Sequence, residues 1–215
     1  TFISLGIGVG QFSGSWIGIN FGMDALFIIS GATSLLSGVF LLKVEETIEN
    51  PQKFDGSQLK VKWNDVIEPS VIPAAVVMLL TTACTGMIFV LTPEISGFLG
   101  IENKGFFFGF YVMSTILVRL FASSLSDRIG RRETMIIGVC MLFLSMLLLA
   151  RVDSYNSFVL AAIVFGLATG VSSPTLFAWT ADLSHISRRG VVAGTIIIAL
   201  EAGIIIGSLS TLISY

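Results

Sequence analysis

Charged residues are scarce in this sequence. Lys, Arg, Asp and Glu make up 12% of its 215 residues, whereas soluble domains typically carry about 25%. Hydrophobic residues make up 54%, and the mean hydropathy is +0.92. These values exclude a water-soluble globular domain, so we predict an integral membrane protein whose first partner is the lipid bilayer.

Other scarcities exclude further classes of protein. The net charge is −2 and no basic block is present, which excludes a nucleic-acid partner. Cys84 and Cys140 lie in separate apolar segments, so no disulfide framework is expected. His185 is the only histidine, and no His/Cys cluster suits a metal ion. No phosphate-binding or dinucleotide-binding glycine pattern is complete, so we predict neither an enzyme nor a cofactor.

Seven apolar segments are long enough to cross a bilayer, which takes roughly 20 residues in a helix. Alternating barrel strands are missing, so the predicted fold class is an all-α membrane protein with about seven transmembrane helices. Pro93 is predicted to kink or end the third helix. The segments are residues 2–19, 24–42, 70–91, 106–125, 134–150, 158–181 and 191–213.

Two polar segments organise these helices. Residues 43–69 form the only candidate linker, and residues 123–133 form a predicted short loop that holds a burst of charge. Lys and Arg concentrate on the side of the membrane that carries both segments, while the other side has only Lys104 and Arg151. Because cytoplasmic loops carry the excess of Lys and Arg, we predict that both segments are cytoplasmic.

Glycines recur at intervals of four, which places them on one face of a helix. In a bilayer, small residues at this spacing allow close helix packing. Gly10, Gly14 and Ser15 also recur, shifted by 193 residues, as Gly203, Gly207 and Ser208, which indicates duplicated halves. The predicted packing glycines are Gly6, Gly10, Gly14, Gly18, Gly203 and Gly207.

Two motifs carry a resemblance to a known family. Residues 125–132, Leu-Ser-Asp-Arg-Ile-Gly-Arg-Arg, resemble the signature loop of the major facilitator superfamily of secondary transporters. Asp182, followed by Arg189 and Gly190, is similar to a second pattern of this family at the junction before its fifth or eleventh helix. Gly10 and Gly14 are similar to part of an antiporter motif in the fifth helix, although Ser15 replaces its proline and Ile19 its last glycine.

The resemblance implies a twelve-helix fold with pseudo-symmetric halves, of which this chain is expected to cover about helices five to eleven. Residues 1–42 would be the last two helices of the N-terminal half, 43–69 the central cytoplasmic linker, and 70–215 the first five helices of the C-terminal half. The chain is then expected to be a piece of a multi-pass protein of the plasma (inner) membrane.

The same resemblance implies transport of a small-molecule substrate by alternating access. We expect coupling to protons and efflux rather than uptake. One alternative within the class is a sugar or organic-acid symporter. An alternative outside it is a non-transporting membrane receptor or scaffold of the same fold.

Family members use the signature loop to hold one conformation closed. Carried over, Asp127 would meet the start of the first span, and Arg128 or Arg131 would meet Asp182. Gly130 and Arg132 complete the loop, with Arg189 and Gly190 on the partner side. The alternative is that these charges only fix the topology as solvated residues.

Two ionisable residues lie inside predicted spans. Glu201 follows Arg189 by about 12 residues, roughly 18 Å along a helix, so it is expected near the midplane. There it would bind a proton or, alternatively, bond to a neighbouring helix as a structural acid. Arg119 precedes Asp127 by about 12 Å on the same scale. It would either reach toward the cytoplasm or pair with Glu201 beside the substrate.

Overall fold

The computed structural model describes residues 2–44, 66–185 and 188–214, and every regular element in them is helical. The predicted all-α fold is therefore confirmed. Most of the linker predicted at residues 43–69 lies outside the described residues. A single 3₁₀ turn, Pro69–Val71, precedes α2, and the helices are α1 Phe2–Leu41, α2 Ile72–Phe98, α3 Phe106–Ile129, α4 Arg131–Ala150, α5 Tyr155–Leu183 and α6 Arg189–Ser214.

Helix α1 turns back on itself at Gly22. The backbone there has φ 84° and ψ 169°, a conformation that is essentially restricted to glycine. Leu26 consequently lies 3.5 Å from the position that a Cβ atom on Gly14 would take, although twelve residues of straight helix span about 18 Å. The two arms of α1 thus correspond to the first two predicted spans.

Five helical stretches in the described residues are long and apolar enough to cross a membrane, and Phe106–Leu120 is a shorter apolar helix. One of the five, Gly6–Leu41, contains both arms of α1. Counting the arms separately gives seven segments, so the predicted number and order of helices agree with the structure. The chain is an integral, multi-pass membrane protein.

Helix α2 does not end at Pro93 but continues to Phe98. A proline ring removes one backbone donor, and the neighbouring polar side chains remain bonded within the helix. Thr92 donates its hydroxyl hydrogen to the carbonyl of Ile88 at 2.8 Å, and Ser96 donates to Thr92 at 2.8 Å. The chain leaves the helix only near Gly100, which has φ 71°.

The helices pack in two groups. Helix α5 packs on α3 and α4, and α1 lies against α3, whereas α2 packs mainly on α6. Phe107, Phe158 and Phe165 are fully buried and form the centre of the first group. Between the two groups the helices make few contacts. This thin boundary runs between α2 on one side and α3, α4 and α5 on the other.

Glycines bring the backbones of α2 and α6 into direct contact. A Cβ atom at Gly86 would collide with the carbonyl of Ile204, and one at Gly203 or Gly207 would collide with the carbonyl of Leu79 or Ala83. Such contact provides the close packing that helices need in lipid. Gly203 and Gly207 therefore pack as predicted, and Gly86 completes the seam.

The predicted glycine face of the first span is only partly correct. Gly14 and Gly18 face the second arm of α1 at 3.5 and 3.7 Å, but nothing described lies within 4 Å of a Cβ atom at Gly6 or Gly10. Gly8 contacts α3 instead, against Val112. Residues two apart point to nearly opposite sides of a helix. Because Gly8 faces α3, Gly6 and Gly10 face away from α3.

We expect Gly207→Ala to destabilise the complete protein, because the added methyl group overlaps the backbone at Ala83. Overpacking of this kind typically costs about 1–3 kcal/mol. The measurement is thermal unfolding in detergent. Gly194→Ala on the same helix is the matched control, since nothing lies within 4 Å of its Cβ position. Equal melting temperatures for both variants would show that the seam is not tight.

Candidate gating site

The charged motif lies on a helical corner rather than in the predicted loop. Helix α3 continues to Ile129, and α4 begins at Arg131. Gly130 alone joins them, with φ 97° and ψ 156°. Its N–H donates to Ser126 at 3.2 Å, and its carbonyl accepts from the N–H of Thr134 at 3.2 Å. The motif is therefore held by two helix ends, because one residue in a glycine-only conformation makes the whole turn.

Arg131 connects three helix ends. Its Nη1 donates to Asp127 Oδ1 at 2.6 Å and to Ser126 Oγ at 2.9 Å, both in the last turn of α3. Its Nε donates to Asp182 Oδ2 at 3.1 Å, in the last turn of α5. The several donors of a guanidinium group allow one side chain to bind two carboxylates. The expected contact between this motif and Asp182 is present and uses Arg131.

Water reaches this cluster. The side chain of Asp127 is 67% exposed, that of Asp182 56%, and that of Arg131 30%. Exposed ion pairs gain little net free energy and are weakened by salt. The cluster therefore positions three helix ends without locking them permanently.

The other residues of the two motifs lie outside the cluster. Within the described part of the chain, Arg128 and Arg132 are exposed and form no ion pair. Arg189 is exposed at the start of α6, and beside it Gly190 has open space around its Cβ position. The structure thus brings Asp127, Gly130, Arg131 and Asp182 together and leaves the remaining predicted residues apart.

Sequence reasoning missed a second ion pair. Arg188 Nε lies 2.5 Å from Glu68 Oε2, and the side chain of Glu68 is only 14% exposed. The N–H of Glu68 also donates to Thr195 Oγ1 at 2.9 Å. These contacts fasten the segment before α2 to the first turns of α6. Nothing in the sequence distinguishes Glu68 from the other acids of residues 43–69, so no signal pointed to it.

Asp127 does not meet the start of the first span. Gly8 lies against Val112, while Gln11 and Phe12 lie against Gly105, so α1 and α3 run antiparallel. In this register Phe2 is level with about residue 118, roughly 13 Å short of Asp127 along the helix. The described partner of Asp127 is instead Arg131 on the adjoining turn.

Glu201 and Arg119 are not brought together. Glu201 lies midway along α6 as expected, and its side chain is exposed. Gly203, two residues further on, contacts α2, so Glu201 lies on a different side of α6. Arg119 is half-buried on α3, one heptad beyond Val112 on the face turned toward α1. Its Nε is buried and has no hydrogen-bond partner among the described residues. Because α6 packs on α2 and α3 packs on α5, the two side chains stand on separate helix groups.

A comparison with known protein families agrees with this arrangement of helices and motifs. The family model described as Major Facilitator Superfamily matches residues 1–208. The chain belongs to the Major Facilitator Superfamily. The prediction that the protein is not an enzyme stays a prediction.

Relatives within the Major Facilitator Superfamily are distant. The chain is 26% identical over 106 residues to "Multidrug resistance protein 2" of Bacillus subtilis (strain 168), which covers 49% of the chain and 26% of that protein. It is 32% identical over 103 residues to human "Solute carrier family 2, facilitated glucose transporter member 12", covering 48% and 16%. The chain thus matches well under two thirds of these relatives' length. No solved structure gives a significant match.

Gly130→Ala is expected to destabilise the complete protein by about 1–3 kcal/mol, the usual cost of forcing a residue with a Cβ atom into such a backbone conformation. Gly190→Ala is the matched control, because Gly190 is helical and its Cβ position is open; alanine there should be neutral or slightly stabilising. Thermal unfolding in detergent distinguishes the two. Equal stability of both variants would show that the turn between α3 and α4 does not require glycine at position 130.

Proposed function

We propose that the complete protein moves a small solute across the membrane by alternating access, and that Asp127, Arg131 and Asp182 form a gate cluster on one membrane face. The observation that carries this proposal is the bridge from Arg131 to the ends of α3 and α5. Alternating access requires helix ends on one face to approach in one state and separate in the other. A bridge between helix ends favours the closed state by its differential interaction energy.

The exposure of the gate cluster supports this role. Its carboxylates are more than half exposed, so water can hydrate them when the bridge opens, and the opening costs little. A buried pair would be strongly destabilised by separation. The cluster therefore suits an equilibrium between two states better than it suits a permanent brace. By the orientation argument from Lys and Arg, the gated face is the cytoplasmic one.

Proton coupling is proposed for Glu201. An acid midway along a membrane helix is a functional candidate, since its cost is tolerated mainly where it faces a cavity or a partner. Its side chain is exposed in the described structure, where it is accessible to a solute pathway. Release and uptake of a proton there would then accompany the change of state.

The proposed direction is efflux. It is supported by the incomplete antiporter pattern at Gly10 and Gly14 and by the similarity to "Multidrug resistance protein 2". A sugar or organic-acid symporter is the alternative within the class, and the similarity to the facilitated glucose transporter supports a sugar as its solute. A receptor or scaffold would bind without flux, so transport by purified protein in proteoliposomes separates it from both.

Arg131→Gln should lower the transport rate severalfold at matched protein level, because it removes both arms of the bridge. Arg132→Gln is the control, since it changes the neighbouring charge without touching a described ion pair. Asp182→Asn should also lower transport, and adding it to Arg131→Gln should reduce the rate little further. If both arginine variants transport equally, or the losses multiply, the gate cluster is not a unit.

Glu201→Gln should abolish the pH dependence of transport in vesicles with an imposed proton gradient, because glutamine carries no titrating proton. Glu102→Gln, in the exposed segment between α2 and α3, is the control and should leave the pH profile unchanged. An unaltered profile in Glu201→Gln would remove this residue from the coupling mechanism.

A further inference from the structure

A cleft of about 220 Å³ lies between the last turns of α5 and the first turns of α6. These two helices make few contacts with each other, since α5 packs on α3 and α4 while α6 packs on α2. The α5–α6 cleft therefore stands at the boundary between the two helix groups, on the membrane face that carries the gate cluster. Its lining includes Phe177, Thr180, Ser184, Arg189, Ile196 and Ile197.

The lining of the α5–α6 cleft changes from polar to apolar with depth. Ser184 and Arg189 lie at the ends of their helices, at the membrane surface. Residues three, four or seven apart share one face of a helix, so each helix presents a single stripe to the cleft. Seven residues further into the helices, roughly 10 Å deeper, these stripes consist of Phe177 and Ile196. A ligand that fills the cleft must therefore be polar at the surface and apolar below it.

Arg189 carries the charge of the α5–α6 cleft. It is exposed, and in the described part of the chain it forms no ion pair. Thr180 and Ser184 donate their hydroxyl hydrogens to carbonyls of their own helix at 2.8 and 2.9 Å, so the guanidinium group is the donor that a ligand meets. Among the described residues of the lining there is no carboxylate. The mouth of the cleft thus favours an anion.

Neither a soluble anion nor a purely apolar molecule matches both parts of the cleft. A soluble anion would leave the deep apolar part unfilled, and an apolar molecule would leave Arg189 without a counter-charge. Phe177 and Ile197 are 49% and 54% exposed, so the apolar wall continues from the cleft out to the lipid. A volume of about 220 Å³ is also below the roughly 300–1,000 Å³ of sites that enclose a small molecule. The cleft suits one part of a larger amphiphile.

A phospholipid with a net negative charge has this form. Its phosphate lies at the membrane surface, level with Arg189, and its acyl chains run into the membrane. Basic pockets between transmembrane helices on the cytoplasmic side bind such head groups. The choline or ethanolamine cation of a zwitterionic lipid would instead lie beside Arg189 without an acid of the described lining to pair with it. Net negative charge is therefore part of the required chemistry.

We propose that the α5–α6 cleft binds an anionic phospholipid of the surrounding membrane, with the phosphate at Arg189 and one acyl chain against Phe177 and Ile196. This lipid contacts both helix groups at a place where few protein contacts join them. It also lies close to the gate cluster, because Asp182 precedes Ser184 by two residues. The inference concerns the lipid, so it holds whether or not the protein transports a solute.

The test measures lipid binding to the complete protein in detergent by native mass spectrometry. The probes are phosphatidylglycerol as the anionic lipid, phosphatidylcholine as the zwitterionic lipid, and glycerol phosphate as a head group without acyl chains. The unmodified protein should bind phosphatidylglycerol more tightly than either of the others. Arg189→Gln should weaken phosphatidylglycerol binding roughly fivefold, the usual contribution of one Lys or Arg near the membrane surface, and should leave phosphatidylcholine binding unchanged.

Arg132→Gln is the matched control for charge, because Arg132 is exposed on the same membrane face and does not line the cleft. It should leave phosphatidylglycerol affinity nearly unchanged. Ala193 is exposed and lines the cleft, so Ala193→Leu should weaken phosphatidylglycerol binding by filling the acyl-chain space while the charge is kept.

Three results would overturn the proposal. The first is equal phosphatidylglycerol affinity in Arg189→Gln and Arg132→Gln, which would reduce the effect to general surface charge. The second is unchanged affinity in Ala193→Leu, which would show that the cleft is not where the acyl chain lies, for example because another helix covers it. The third is binding of glycerol phosphate as tight as that of phosphatidylglycerol, which would identify a soluble anion as the ligand.

Discussion

Helices in a bilayer gain no hydrophobic free energy by leaving lipid, so their association depends on how closely their backbones approach. The main interfaces among α2 to α6 have glycine at the contact. Gly203 and Gly207 hold α6 on α2, Gly166 and Gly170 hold α5 on α3, and Gly138 meets Ser172 between α4 and α5. Where this close approach is missing, between the middle of α2 and the middle of α5, a cavity of about 60 Å³ remains. The positions of the glycines thus decide both what is packed and what is left open.

The lipid bilayer also determines where charged side chains can lie. Ion pairs gather at helix ends, where water reaches them, and each links helices of a single group: Arg131 links α3, α4 and α5, while Arg188 and Glu68 link the starts of α6 and α2. Glu201 and Arg119 depart from this rule inside the membrane. Placing an ionisable side chain in the hydrocarbon of the bilayer costs free energy. This cost is the physical reason to look for a role in transport at these two positions.

Residue spacing predicted the helices and the Gly203 and Gly207 contacts, because both depend on local periodicity. The approach of the charged motif to Asp182 was implied by the family resemblance. Residue spacing failed to predict contacts that depend on which helix lies next to a residue in the folded protein. Whether Gly6 or Gly8 faces another helix depends on the side from which α3 approaches. Glu68 acquires its partner only through folding. Helical continuity to Ile129 was also missed, because helical bonds on either side outweigh one polar turn. At Pro93 the sequence left a kink or an end open, and the helix continues.

The thin boundary between the two helix groups has a mechanical consequence. Neither a described ion pair nor a glycine contact crosses it at the middle of the membrane, whereas both kinds of contact are frequent within each group. Displacement of the pair α2–α6 along the bundle α3–α5 therefore breaks few strong contacts. Helices α3 and α5 stay packed at Gly166 and Gly170, so only their exposed ends are free to separate at the gate cluster. The boundary is a shear plane, and the cavity between α2 and α5 lies in it.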